Sequence, residues 1–253
     1  MEKINACIVS VSMPNINRKT IEMQREVVQK FNPQNYHHYQ FFVDINTKHG
    51  VFLDYFWGLN GVMAGALKKQ TIEKKLEHEV VIVLDIDCIP LSKNAFEIYA
   101  KSALDGNLIG NAQRTNHLNN NQHVFAAPSA AAISKNTFIK IGTPSALETF
   151  RSDVLEEYTW AAESLGVNVV KIMPLKFDAP PQRYDWEKEQ PPYWNLADGM
   201  PKYGMGTTYG SEEQGELFWH NFQIRMPGQE ERFWNKCEQV LTRDMYEDRS
   251  IKH

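Results

Sequence analysis

The sequence predicts an α/β fold: a mostly parallel central sheet flanked by helices, in a single domain. Three observations carry that expectation. Apolar strand-like runs alternate with helix-length amphipathic segments through the first half, as a sheet covered on both faces requires. The run Val80-Val81-Ile82-Val83-Leu84 is apolar without alternation, the pattern of a strand buried on both sides. No internal repeat and no domain-separating linker interrupts the 253 residues, which suit one sizeable domain.

Taken in order, Ala6 to Val11 reads as the first strand, and Pro14-Asn15-Ile16-Asn17 supplies a turn and an N-cap. Arg18 to Phe31 carries Ile21, Val28 and Phe31 roughly on one face and is expected to be a helix, stopped by Asn32-Pro33. Tyr39 to Val43 is a second strand with Asp44 at its end. A helix from about Leu53 to Lys69 contains Gly58, Gly61, Ala64, Gly65 and Ala66; glycine is costly inside a helix, so these point to close packing against a sheet or ligand. After the strand ending at Leu84 come a helix over Asn94 to Ala103 and a short strand over Leu108 to Gln113. The second half is less regular. An Asn-rich loop, Asn116 to His123, precedes the small apolar segment Val124 to Ile133. A helix is expected over Asp153 to Leu165 with Gly166 as its stop, then a strand over Val167 to Met173. Asp178 to Tyr209, rich in Pro, Gly, Tyr and Trp, reads as an ordered loop region over a site. Glu216 to Arg225 alternates like a strand, and Glu230 to Leu241 is a final amphipathic helix.

Bulk composition narrows the function classes. A net charge of -4 with no dense Lys/Arg block offers no general attraction to nucleic acid or an anionic membrane. Cys7, Cys88 and Cys237 are scattered and odd in number, against both a disulfide framework and a structural zinc site. The N-terminal segment is too short and polar for a signal peptide, and no apolar stretch approaches a membrane span. The expected location is the cytoplasm, or the host cytoplasm for a viral source.

The chemistry concentrates at Asp85-Ile86-Asp87. A strand interior cannot hold unpaired charge cheaply, so acids where an apolar strand stops are expected at the sheet's carboxyl edge, facing a crevice. Two carboxylates there suit a hard divalent ion, Mg²⁺ or Mn²⁺, which commonly also grips substrate phosphates. The plainer alternative is a pair of solvated turn acids before Pro90.

With this order of elements, the chain resembles nucleotide-sugar-dependent glycosyltransferases of the GT-A fold, whose Rossmann-like sheet carries an Asp-x-Asp metal motif after a hydrophobic strand. The resemblance covers most of the chain and lies in Ser10-Val11-Ser12, Asp44, the Asn60-Gly61 helix, Asp85-Ile86-Asp87, the later acidic helix and His220. It implies a half that binds nucleotide sugar and metal over about 1–115 and an acceptor-binding half over about 116–253. It further implies that Val11 and Ser12 lie along the nucleoside, that Asp44 accepts from the N3–H of a uracil-type base, and that Asn60 and Lys68, with Lys69, lie where ribose or diphosphate contacts fall. The resemblance also makes Asp87 the better candidate for direct metal ligation, with Asp85 contacting the ribose or metal-bound water, and His220 a late third ligand. The implied reaction moves a sugar from a nucleoside diphosphate donor, UDP-sugar favoured and GDP-sugar possible, to a hydroxyl acceptor such as a glycan. The metal stabilises the charge developing on the leaving diphosphate. If the anomeric carbon inverts, a carboxylate must take the acceptor's proton; Asp153 is the first choice, then Glu156 and Glu157.

Each residue also has a structural reading. Asp153 followed three residues later by Glu156 is a helix-capping pattern. His220 alternates with Phe218 and Phe222 and fits a packed strand histidine. His37-His38 has no ligand company and reads as surface. Trp186, Tyr193, Trp194, Tyr203 and Tyr209 suit either core or stacking on a sugar or base. Among competing functions, a haloacid-dehalogenase-type phosphohydrolase also uses Asp-x-Asp after an apolar strand. That motif normally lies on the first strand with Thr or Val two places beyond the second acid, whereas Ile89-Pro90 follows here. A catalytically inactive nucleotide-sugar-binding module is the other alternative. A nucleotidyltransferase would want a Gly-rich basic loop after the first strand, which Val11 to Asn17 lacks.

Overall fold

A computed structural model describes residues 4–43, 60, 61, 63, 78–115, 122–181, 195–197 and 200–250, the last eight of these as backbone. Among the described residues the strands are β1 (Ala6–Ser12), β2 (His37–Phe42), β3 (Val80–Leu84), β4 (Cys88–Pro90), β5 (Leu108–Arg114), β6 (Val124–Ser134), β7 (Val169–Lys176), β8 (Thr207–Ser211) and β9 (Gly215–His220). The helices are α1 (Arg18–Lys30), α2 (Ala95–Leu104), α3 (Lys135–Lys140), α4 (Glu156–Ser164) and α5 (Gln229–Ser250). The strands form one sheet in the order β2-β1-β3-β6-β5-β7-β8-β9-β4.

β1 and β3 are apolar throughout because both of their faces are covered. Ile8, Ile82 and Leu84 pack on one face with Phe96 and Tyr99 of α2. Cys7, Val9, Val11, Val81 and Val83 point to the other, against Phe138 of α3 and Tyr158 of α4. Successive side chains of a strand alternate in direction, so two buried faces demand an unbroken apolar run. A third cluster joins α1 to α5 through Val27, Phe31, Phe233 and Cys237, and takes in Ile86 between the two candidate metal acids. α1 begins where Asn17 accepts a hydrogen bond from the Lys19 amide at 2.9 Å.

The sheet curls back on itself, and the chain requires it. β3 and β4 stand six strand positions apart in the sheet, about 29 Å if it were flat at ~4.8 Å per strand. Only Asp85, Ile86 and Asp87 separate them, and the four Cα steps from Leu84 to Cys88 span at most about 15 Å. β7 makes the turn of the sheet, pairing with β5 through Val169–Ile172 and with β8 through Met173–Lys176. Its Pro174 sits at a register shift, one of the few places a sheet tolerates a residue without an N–H.

The α/β class and the flanking helices are as expected, but pairing is more mixed than a mostly parallel sheet. β2-β1-β3 and β5-β7 are parallel. β3-β6, β6-β5, β7-β8, β8-β9 and β9-β4 are antiparallel. Parallel neighbours need a crossover of about a dozen residues or more, and the connections within the antiparallel pairs β5-β6 and β8-β9 are shorter. β5 and β6 follow each other across a loop, and β8 and β9 across three residues. The small apolar segment after the Asn-rich loop is β6, whose alanines let it lie between β3 and β5. Gly110 of β5 shows how close that fit is: an added Cβ would stand 2.9 Å from Ala126 Cβ. β4, β8 and α3 were not anticipated, and β9 ends at His220 instead of running to Arg225. Of the expected helix over 53–69, Asn60, Gly61 and Met63 are helical and the rest lies outside the described residues. All three cysteines are free and buried.

Candidate active site

The main chain of the turn between β3 and β4 is fastened at both of its ends. Leu84 ends the ladder to β6 opposite Ala130, and the Asp85 amide donates to the Ser129 carbonyl at 3.2 Å. The Asp85 carbonyl accepts from the Cys88 amide at 2.9 Å and from Gln24 Nε2 at 2.6 Å; the same nitrogen donates to the Cys88 carbonyl at 3.0 Å. Gln24 is fully buried on α1. On the far side, the Asp87 carbonyl accepts from the Asn221 amide at 2.9 Å, and Cys88 pairs with His220 across the β4–β9 ladder. A backbone held in this way leaves the side chains to serve the site.

That register brings Asp85, Asp87 and His220 together, with one ligand atom of each lying within 4.8 Å of the others. His220 Nε2 is 3.1 Å from Asp87 Oδ1. His220 is 5% exposed, and its Nδ1 has no hydrogen-bond partner among the described residues. A buried imidazole nitrogen without a partner is costly in a finished fold. Two carboxylates and an imidazole suit Mn²⁺ or Mg²⁺, and bonds of about 2.1 Å put opposed ligands about 4.2 Å apart, close to the observed spread. The residues present therefore fit a divalent ion. Cys88, although adjacent, is not part of the cluster; burial first, then the charges of Asp85 and Asp87, raise its thiol well above the usual range.

A second group of acids lies at the start of α4. Burial raises the Asp153 carboxyl to about 7 against the pull of the Val154 amide, which donates to Asp153 Oδ1 at 2.7 Å; the charges of Glu156, Glu148 and Asp85 push the same way as burial. Asp85 and Asp153 thus feel one another although 68 positions separate them in the chain. Glu156 has no exposed surface. One of its carboxylate oxygens accepts from the Asp153 amide at 2.6 Å and the other meets His123 Nδ1 at 2.5 Å. Glu157 pairs bidentately with Arg151 at 3.0 and 2.8 Å, and that pair holds its carboxyl below the usual range.

The remaining candidates separate. Val11 packs in the core with Val9 and Val83, and buried Ser12 donates through Oγ to the Phe41 carbonyl at 3.4 Å. Asn60 Oδ1 accepts from Ser145 Oγ at 3.0 Å and the Ala146 amide at 2.9 Å, fastening the loop that leads to Asp153. Asp44, Lys68 and Lys69 lie outside the described residues, as do Trp186, Tyr193 and Trp194. Tyr203 and Tyr209 are core, 2% and 0% exposed. His38 is not a plain surface residue: it meets Ser10 Oγ at 3.0 Å, and burial, then Arg25 and His37, lowers its pKa to about 4. Gln24, Asn221 and His123 were not singled out in the sequence. Gln24 carried a usable signal, since it falls four residues from Thr20 and from Val28 on the buried stripe of its helix.

No protein-family model and no curated protein matches the chain. Solved structures do resemble it. The catalytic domain of Drosophila beta1,4-galactosyltransferase 7 in complex with xylobiose is 14% identical over 70% of this chain and 67% of that one, with a TM-score of 0.44. A mutant of that enzyme with manganese, UDP-Gal and xylobiose is 11% identical over 68% and 67%, with a TM-score of 0.39. The 4-diphosphocytidyl-2C-methyl-D-erythritol synthase of Anaerococcus prevotii is 10% identical over 68% and 90%, with a TM-score of 0.40. These are likenesses of fold at low identity.

Proposed function

We propose that this chain is a metal-dependent glycosyltransferase that moves a sugar from a nucleoside diphosphate donor, a UDP-sugar in preference to a GDP-sugar, to a hydroxyl acceptor of the glycan class. The observation that carries the reading is the Asp85, Asp87 and His220 cluster at the carboxyl end of the parallel β1–β3 pair, with the charge of Asp85 reaching Asp153. A crevice outside the carboxyl ends of parallel strands is where open α/β sheets bind ligands.

In this reading Asp85, Asp87 and His220 hold Mn²⁺ or Mg²⁺, and the bound ion supplies charge stabilisation to the departing diphosphate. Asp153 is the general base, ionised by the time the acceptor hydroxyl attacks, and takes that hydroxyl's proton as the new glycosidic bond forms. A base whose pKa lies near neutrality matches the proton affinity this task needs. Glu156 is held by His123 and by the Asp153 amide, which makes it a support for the base. The part up to about residue 115 would bind nucleotide and metal, and the part from about 116 would bind the acceptor. Val11 and Ser12, with buried side chains, would meet the nucleoside through main chain; Asp44 and Lys68 keep their proposed base and diphosphate roles. A cytoplasmic location agrees with three free thiols.

A donor screen tests the reading. UDP- and GDP-sugars incubated with Mn²⁺ are expected to release nucleoside diphosphate from at least one donor, and release should stop in Asp153→Asn. Nucleotide binding without any sugar release across donors and acceptors would instead identify a binding module, and release of phosphate from a monoester would identify a phosphohydrolase.

A further inference from the structure

The turn that carries Asp153 is held by groups that lie outside the metal cluster. Leu155 sits at φ 65° and ψ -9°, a left-handed conformation that a branched side chain adopts only where its surroundings enforce it. Leu155 is buried and its amide donates to the Ala146 carbonyl at 3.0 Å, and the side-chain contacts of the turn converge on Glu156, which is wholly buried. Its two oxygens are engaged by the Asp153 amide and by His123 Nδ1. His123 is in turn fixed on its remaining sides. Its Nε2 meets Glu163 Oε2 at 3.2 Å, and its ring stacks on Trp160 with centroids 3.9 Å apart and planes 22° apart. Glu163 is itself held by Lys171 Nζ of β7 at 2.8 Å. Glu156, Trp160 and Glu163 share one face of α4 at helical spacing, so a single histidine ties that face to the edge of β6.

We infer that His123 and Glu156 are positioning residues for Asp153: the imidazole–carboxylate pair, its carboxylate wholly buried, locks the 153–156 turn and so fixes where the Asp153 carboxyl stands. The inference rests on the reading of Asp153 as the base. A carboxylate hydrogen-bonded to a backbone N–H aims the main chain, and the main chain aims the side chain one bond away. Loss of the lock leaves the chemical group present but misplaced, and a displacement of about 1 Å can cost on the order of 100-fold in rate.

Three variants test the lock. His123→Phe keeps a ring against Trp160 and removes both nitrogens. His123→Asn places an amide nitrogen near the position of Nδ1. Glu156→Gln still accepts from the Asp153 amide but loses its charge. Amide hydrogen exchange over residues 149–157 reads the lock without reference to activity. Exchange at 153 and 154 is expected to rise at least tenfold in His123→Phe and in Glu156→Gln, with β3 unchanged, and to return most of the way in His123→Asn. Hydrolysis of UDP-glucose and UDP-galactose with Mn²⁺ reads the consequence: kcat falls tenfold or more while KM and the Mn²⁺-dependent affinity for UDP stay within twofold. Unchanged exchange at 153 and 154 in both the Phe and Gln variants overturns the lock, and so does a kcat loss accompanied by raised exchange throughout the chain. A wild-type chain that does not bind UDP with Mn²⁺ contradicts the transferase reading instead, and the exchange result stands apart from it.

Discussion

The β3–β4 turn and the start of α4 each present two acids close together in sequence, yet the fold uses them differently. At the β3–β4 turn the main chain is held by Gln24, Ser129 and Asn221, and Asp85 and Asp87 both join the cluster with His220. At α4, one acid is consumed: Glu156 is buried and engaged at both oxygens, while Asp153 is brought under the influence of Asp85. The difference teaches that an acidic pair becomes a two-carboxylate site only when something else secures the backbone. Where nothing else does, one of the acids must.

The largest effect expected from breaking this contrast is at Asp153. Asp153→Asn should lower sugar transfer by about 10² to 10⁴-fold, the usual contribution of a positioned base, with metal-dependent UDP binding retained. The same variant has an opposite signature in stability. Because the folded pKa of about 7 lies above the ordinary 3.8, the folded state holds this proton more tightly than the unfolded chain between those values. The stability it contributes is full below about pH 4 and is lost as pH rises through 7. Asp153→Asn should therefore be more stable than wild type at pH 8, by on the order of a few kcal/mol, with the gain disappearing near pH 4; urea unfolding at the two pH values measures it.

An intermediate effect is expected at Gln24. Gln24→Leu leaves the Asp85 and Cys88 carbonyls without their buried donor, which costs about 1–3 kcal/mol in stability. It should also weaken Mn²⁺ binding by about 10- to 100-fold, as the loss of a supporting residue around a metal commonly does; electron paramagnetic resonance of free Mn²⁺ gives the affinity. The smallest effect is a control. Arg18 and Glu22 pair on the exposed face of α1, with side chains 88% and 50% exposed. Arg18→Ala should change stability by less than about 0.5 kcal/mol and leave metal binding as it was.

How much of this was legible beforehand follows from the range of each signal. The strand ending in Asp85-Ile86-Asp87 announced itself because burial on both faces and a carboxylate terminus are local facts. His220 was readable as a strand residue, and its arrival at Asp87 depended on β4, a three-residue strand with no pattern of its own. The antiparallel half is not read from the sequence, since β6 is only a small apolar segment until Ala130, Ala131 and Ala132 are seen to fit between neighbours. His123 closes against Glu156 and Glu163 from 33 and 40 residues away, and no spacing rule connects them. Asp153 with Glu156 was readable as a cap, and the observed bond from the Asp153 amide to Glu156 is of that kind.

The central claim is that Asp85, Asp87 and His220 form a metal site serving a nucleoside diphosphate. Its most direct test is calorimetric titration of UDP into wild type and Asp87→Ala, each with Mn²⁺ and with chelator. Wild type should bind UDP with Mn²⁺ at least about 100-fold more tightly than without it, about 2.7 kcal/mol, and Asp87→Ala should lose that gain while remaining folded. Binding that is equal in all four conditions, or absent in all of them, would contradict the claim.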